Sequence, residues 1–203
     1  SSNTLANGQG GAIYWSGSSP TIENISIEYS RTNITNSANS ADGGAIYSTN
    51  INELNNVYIV DSIASKDNGD VKGGAIYYNG LDMNNVTVIG SRASTDSGTT
   101  YGGAIYWISG GKGNIYNSSF VNNTAYRSGG ALEWDGTNGY VSYCNFTGND
   151  ALGTAISTEY AVLTSLGNVI EVTSLPKPSI ATDNKLYVRV IYDGDKKVKY
   201  ETT

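Results

Sequence analysis

Apolar residues in this 203-residue chain come in short runs separated by small and polar residues, and the runs return in step. The clearest marker is Gly10-Gly11-Ala12-Ile13, repeated at Gly43-Gly44-Ala45-Ile46, Gly73-Gly74-Ala75-Ile76 and Gly102-Gly103-Ala104-Ile105. It relaxes to Gly129-Gly130-Ala131-Leu132 and decays to Gly153-Thr154-Ala155-Ile156. The first glycines are 33, 30, 29, 27 and 24 residues apart. A unit of this length cannot close a core alone, and stacking copies on one another can, which is the logic of a solenoid.

Each unit predicts two or three short strands. Ile-Tyr-Trp, Ile-Tyr-Tyr and related runs after the Gly-Gly read as one. A second opens on Asn in most units, at Asn24, Asn56, Asn85, Asn117 and Asn145, with Asn168 as a last copy. A shorter apolar pair precedes it, at Ile51/Leu54, Leu81/Met83 and Ile115. No window shows apolar residues at three-four spacing, so helical and leucine-rich repeats are excluded. The pattern predicts an all-β, right-handed parallel β-helix of about six coils over residues 1–175, its hand following from the crossover rule. The column Ile13, Ile46, Ile76, Ile105, Leu132 and Ile156 should point inward. The Gly-Gly pair should mark a corner needing positive φ or close backbone approach. The Asn residues should form a ladder of side-chain amides.

After Glu171 the pattern changes. Leu175-Pro176-Lys177-Pro178 reads as a stiff linker. Lys185–Tyr192 and Lys196–Tyr200 then read as two strands joined at Asp193-Gly194-Asp195. Residues 176–203 are therefore expected to form a β-hairpin cap on the solenoid or the beginning of an immunoglobulin-like module. The unit length shrinks mainly between the Asn strand and the next Gly-Gly, over 30–42, 61–72, 91–101, 122–128 and 148–152. These segments read as long polar loops lying side by side and tapering toward the C-terminal end.

Composition narrows the chemistry. Net charge is −6, with six Lys and Arg against four Asp and Glu in 176–203, and six against fourteen before them. An acidic solenoid without a basic stripe argues against nucleic acid, and against anionic glycans held by bulk charge. No apolar run is long enough to span a membrane. The repeat is already running by Gly10 and no signal peptide or initiator Met precedes it, so a fragment of a longer protein is expected. The single Cys144 reads as a small core residue.

The chain has no His, which removes His-based acid–base catalysis and most zinc sites. A lyase would have to draw on Asp67 or Asp70 with Arg92 as base. Asp67-Asn68-Gly69-Asp70 resembles half a calcium loop but lacks the closing Glu, so these two aspartates are the only candidates for a metal (calcium); no cofactor and no catalytic residue is expected. Among six Asn-x-Ser/Thr sequons, Asn33 and Asn122 fall in expected loops and are the candidate glycosylation sites. If Ile13 and its equivalents point inward, alternation sends Tyr14, Tyr47, Tyr77 and Tyr106 outward as an aromatic ribbon, the candidate ligand-binding surface. Trp15, Tyr78, Trp107 and Trp134 share the parity of Ile13 and read as core.

Phe120-Val121-Asn122-Asn123 before Gly129-Gly130-Ala131-Leu132, and Phe146-Thr147-Gly148-Asn149 before Gly153-Thr154-Ala155-Ile156, resemble the repeat of chlamydial-type polymorphic outer-membrane proteins. In earlier units aliphatic residues replace the Phe. The Asn/Thr/Tyr-rich composition and the β-rich tail are similar to adhesin-like surface proteins of methanogenic archaea. The resemblance covers most of residues 10–158. It implies a secreted or cell-surface adhesin, non-enzymatic, binding a glycan or protein on a host or neighbouring cell. The alternatives are an extracellular polysaccharide lyase or glycoside hydrolase, and a passive stalk.

Overall fold

The computed structural model describes residues 8–35, 40–108, 113–126, 129–134 and 139–151, and the strands within 162–164, 170–174, 190–191 and 198–201. The first coil carries β1 (Gly8–Gln9), β2 (Ile13–Trp15), β3 (Thr21–Glu28) and β4 (Arg31–Ile34). The second carries β5 (Ala41–Asp42), β6 (Ile46–Val60) and β7 (Ile63–Asn68), and the third β8 (Val71–Lys72), β9 (Ile76–Ile89) and β10 (Arg92–Ser97). The fourth has β11 (Thr100–Tyr101), β12 (Ile105–Trp107), β13 (Gly113–Tyr116), β14 (Ser119–Val121) and β15 (Thr124–Ala125). Then come β16 (Leu132–Trp134), β17 (Gly139–Thr147), β18 (Asp150–Ala151), β19 (Val162–Thr164), β20 (Ile170–Ser174), β21 (Val190–Ile191) and β22 (Val198–Glu201).

Every strand pairing among these is parallel, coil on coil, so the chain is a parallel β-solenoid and no helix occurs among the described residues. Three faces result. One is the four-rung sheet β1-β5-β8-β11, a second the five-rung sheet β4-β7-β10-β15-β18, and the third the large sheet containing β2, β3, β6 and β9. Among the described residues all three sheets run together through four turns, against about six coils expected from the motif. Ile156 lies outside the described residues; the strand stacked on β16 is β19, with Val162 in register with Leu132.

Three columns of left-handed residues turn the corners. The first glycine of each motif is one, with φ near 60–70° at Gly10, Gly43, Gly73, Gly102 and Gly129. The second glycine serves the other need: a Cβ on Gly44 would stand 2.2 Å from the Gly74 carbonyl oxygen. Asn24, Asn56, Asn85, Asn117 and Tyr143 form the second column. Asn tolerates this region better than most side chains. Its amides also stack: Asn56 Nδ2 donates to Asn24 Oδ1 at 2.6 Å, Asn85 Nδ2 to Asn56 Oδ1 at 3.0 Å, and Asn117 Nδ2 to Asn84 Oδ1 at 3.0 Å. Asn145, read from sequence as this column's fifth member, instead lies in register with Ser119.

The third column, Tyr29, Asp61, Gly90, Asn122 and Gly148, occupies the third position of the Phe-x-x-Asn element. Phe120 and Phe146 stack at 5.1 Å, in the column of Ile27, Ile59 and Val88. Asn123 closes the corner: its Oδ1 accepts from the Ser91 N–H and its Nδ2 donates to the Val88 carbonyl and to Asn149 Oδ1. Where an aliphatic residue replaces Phe, Ser30, Ser62 and Ser91 hold the Asn position.

The main core is as the alternation predicts. Ile46, Ile76, Ile105 and Leu132 are fully buried, each contributing about 1.5–3 kcal/mol. Trp107 and Trp134 stack at 4.6 Å, and Tyr78 meets Trp107 edge-on at 4.5 Å while its hydroxyl donates to the Asp82 carbonyl. Burial, and then Asp82 and Glu53, push the Tyr78 phenol far above its usual range. Trp15, in the outermost coil, is 37 % exposed. Cys144 is buried, its Sγ 3.6 Å from the Ile115 carbonyl.

Two expectations are corrected. The tapering polar loops are strands, forming the two smaller sheets around a second core of Ile34, Ala41, Ala64, Val71 and Ala93. Their inward positions are largely Ala, too small to register as a hydrophobic run. The C-terminal strands are not a hairpin: β21 pairs in parallel with β19 and β22 with β20, continuing the stack. An open solenoid edge offers a parallel template for each new strand, and these two follow it. The Pro linker and the Asp193-Gly194-Asp195 turn lie outside the described residues.

Candidate functional site

The Gly-Gly-Ala corner runs between two columns of side chains and is itself buried from the second coil on. On one side stands the column Gln9, Asp42, Lys72, Tyr101, in register across β1, β5, β8 and β11. On the other stand Tyr14, Tyr47, Tyr77 and Tyr106, in register across β2, β6, β9 and β12. The tyrosine column continues to Glu133, which is buried.

The four tyrosines do come together, at ring-centroid distances of 5.3, 4.6 and 5.5 Å and near-parallel planes. Stacking along the axis turns the ring faces toward each other, so that only ring edges can line the groove. Tyr14 is 55 % exposed and Tyr77 partly buried, while Tyr47 and Tyr106 are buried, at 9 % and 5 %. Among the described residues Tyr14 is the most open member of the column. The opposite column leans onto it, staggered by one coil. Gln9 hydrogen-bonds the Tyr47 side chain, and Lys72 Nζ lies 4.9 Å above the Tyr106 ring. Tyr101 meets Tyr106 at 6.2 Å.

An open polar cavity of about 370 Å³ lies between the two columns, lined by Gln9, Ser40, Asp42, Tyr47, Lys66, Asp70, Lys72 and Tyr77. Asp42 is its most perturbed group. Burial pushes its carboxyl up to about 6, only partly opposed by Lys72, by hydrogen bonds from the Lys72 backbone and Ser40, and by Lys66. Burial also raises the Tyr47 phenol, with Asp42 and Tyr14 adding to it and the Gln9 hydrogen bond opposing. Lys66 faces inward from β7 and is about nine-tenths buried. Gln9, Asp42 and Lys72 were not singled out from the sequence. Their shared signal is the residue immediately before each Gly-Gly, a polar or charged group in three successive units.

The other sequence candidates separate. Asp70 accepts a hydrogen bond from the Thr99 N–H at 3.2 Å and lines the cavity, while Asp67 sits in β7. Among the described residues no three His, Cys, Asp or Glu gather as a metal would require. Arg92 is in register with Ile63, four positions before Asp67, which puts it roughly 13 Å along the strand from that aspartate. Asn33 is exposed but belongs to β4, not to a loop, and its Oδ1 accepts from Ser65 Oγ at 3.1 Å. Asn122 is exposed in the left-handed corner between β14 and β15.

No family model, curated protein or solved structure matches this chain.

Proposed function

We propose that the chain is a non-enzymatic, adhesin-like module of a secreted or surface-displayed protein, binding a cell-surface glycan or protein at the groove between the tyrosine column and the column of Gln9, Asp42 and Lys72. The observation carrying this reading is the open polar cavity where the two registered columns meet, with Tyr47 and Tyr77 on one side and Gln9, Asp42 and Lys72 on the other. A ligand in the cavity would meet the Tyr47 and Tyr77 edges together with Gln9, Asp42 and Lys72. Sites on rigid scaffolds with such convergent groups are where recognition concentrates. The resemblance to surface-protein repeats supports the same compartment. No metal or cofactor is invoked.

The self-stacking of the tyrosines supports a second reading, a passive stalk in which the ladder only stiffens the sheet. One screen separates the two. The protein is incubated with intact cells and polysaccharides while reducing ends and unsaturated products are followed in the same wells. Binding without product is expected, together with at least tenfold loss in Tyr47→Phe plus Tyr77→Phe, which keep the stacked rings and remove two hydroxyls. Binding untouched by those changes points away from the groove, no binding at all points to the stalk, and released product points to an enzyme.

A further inference from the structure

The cavity beside the ladder is lined by two lysines and two aspartates, a balanced local charge on an acidic chain. Two ammonium groups, Lys66 and Lys72, converge on it from β7 and β8. Lys72 is held over the Tyr106 ring rather than extended into solvent, and Lys66 is mostly withdrawn from water. An ammonium removed from solvent attracts an anion more strongly than a surface lysine does, because less screening intervenes. Two carboxylates face them. Asp70 is exposed and occupied by the Thr99 N–H, while Asp42 is buried at the base of β5. The groups around Asp42 are Lys72, Lys66, Ser40 and Asp70, with Gln9, Tyr47 and Tyr77 completing the wall.

The geometry points to an acidic sugar as the ligand of this groove, its carboxylate held between Lys66 and Lys72 and its hydroxyls taken by Asp42, Gln9 and the Tyr47 and Tyr77 edges. This rests on the glycan reading of the same face. It also resolves the tension with an acidic chain, since the attraction is local and not a property of net charge. Because burial favours neutral Asp42 in mildly acidic solution, the two lysines then face one fewer competing charge. A carboxylate-bearing sugar could come from a terminal sialic acid or from a uronate within a polymer, and both present the same group.

The test is calorimetric titration with two matched pairs: sialyllactose against lactose, and a hyaluronan oligosaccharide against its methyl ester. At least one acidic member should bind tenfold or more tighter than its neutral partner, and which one does so names the source. Lys72→Gln should reduce that affinity by about tenfold, and Lys66→Gln likewise where its melting curve shows it folded; Lys72, half-buried at the rim, decides the matter alone if it does not. Equal binding of acid and neutral forms overturns the proposal and leaves the glycan reading standing. Acid binding undiminished in Lys72→Gln places the site elsewhere and overturns it too. Failure of both acids overturns it, with the cell and polysaccharide screen judging the broader reading separately.

Discussion

Asp42→Asn should make the protein more stable at neutral pH, even though it removes a carboxylate lying between two lysines. The folded protein holds the Asp42 proton up to about pH 6, against an ordinary value of 3.8. Between those values the native state binds more protons than the unfolded chain, so stability falls as pH rises through the window. The contribution is fully present below 3.8 and lost above about 6. A shift of this size corresponds to about 3 kcal/mol, an upper figure because Lys72 and Lys66 lose a partner in the variant. Asn has nearly the same shape and cannot ionise. Denaturant unfolding at a series of pH values from about 4 to about 8 gives the difference between variant and parent, which cancels the contribution of every other titrating group. The curves should converge near pH 4 and separate by 1–3 kcal/mol, as an order of magnitude, at pH 7. A variant less stable than the parent at pH 7, or a gap that does not change with pH, would refute the reasoning. The lysines would then be shown to outweigh burial.

Gly44→Ala should destabilise strongly, by about 3 kcal/mol or more, because the new Cβ would lie 2.2 Å from the Gly74 carbonyl oxygen and 2.5 Å from the Ile63 carbonyl carbon. Thermal unfolding measures it, and a loss under 1 kcal/mol would mean that coils can separate locally. At Asn56, Gly keeps the positive φ and loses only the amide ladder, whereas Ala loses both. Asn56→Ala should therefore cost about 1 kcal/mol more than Asn56→Gly; equal costs would assign the whole effect to the ladder.

The repeat was legible because its markers are chemically extreme. Only glycine meets both demands of the Gly-Gly corner, and only a residue tolerant of the left-handed region suits the Asn corner, so both columns stand out in one dimension. The inward Ile and Trp columns followed from alternation. The smaller sheets did not, because Ala64 and Ala93 carry a core with side chains that give no hydrophobic signal. The C-terminal strands pair with earlier coils instead of with each other, a choice made by the open edge of the solenoid and absent from their own residues. The register of the tyrosine column was legible, but the burial of Tyr47 and Tyr106 was not, because ring orientation depends on neighbours one coil away. The facing column of Gln9, Asp42 and Lys72 was hidden because its members share a position and not a residue type.

The narrowing of the second sheet has a mechanical consequence. Its strands run to six residues in β7 and β10 and to two in β15 and β18. In a stack where each coil is held only by its neighbours, resistance to separation scales with the bonds crossing each junction. The junctions near the amino-terminal coils therefore hold more than those toward β18. Under tension along the axis the solenoid should open from its narrow side first, shedding the coils of β18 and β15 while the groove between Gln9 and Tyr77 stays intact.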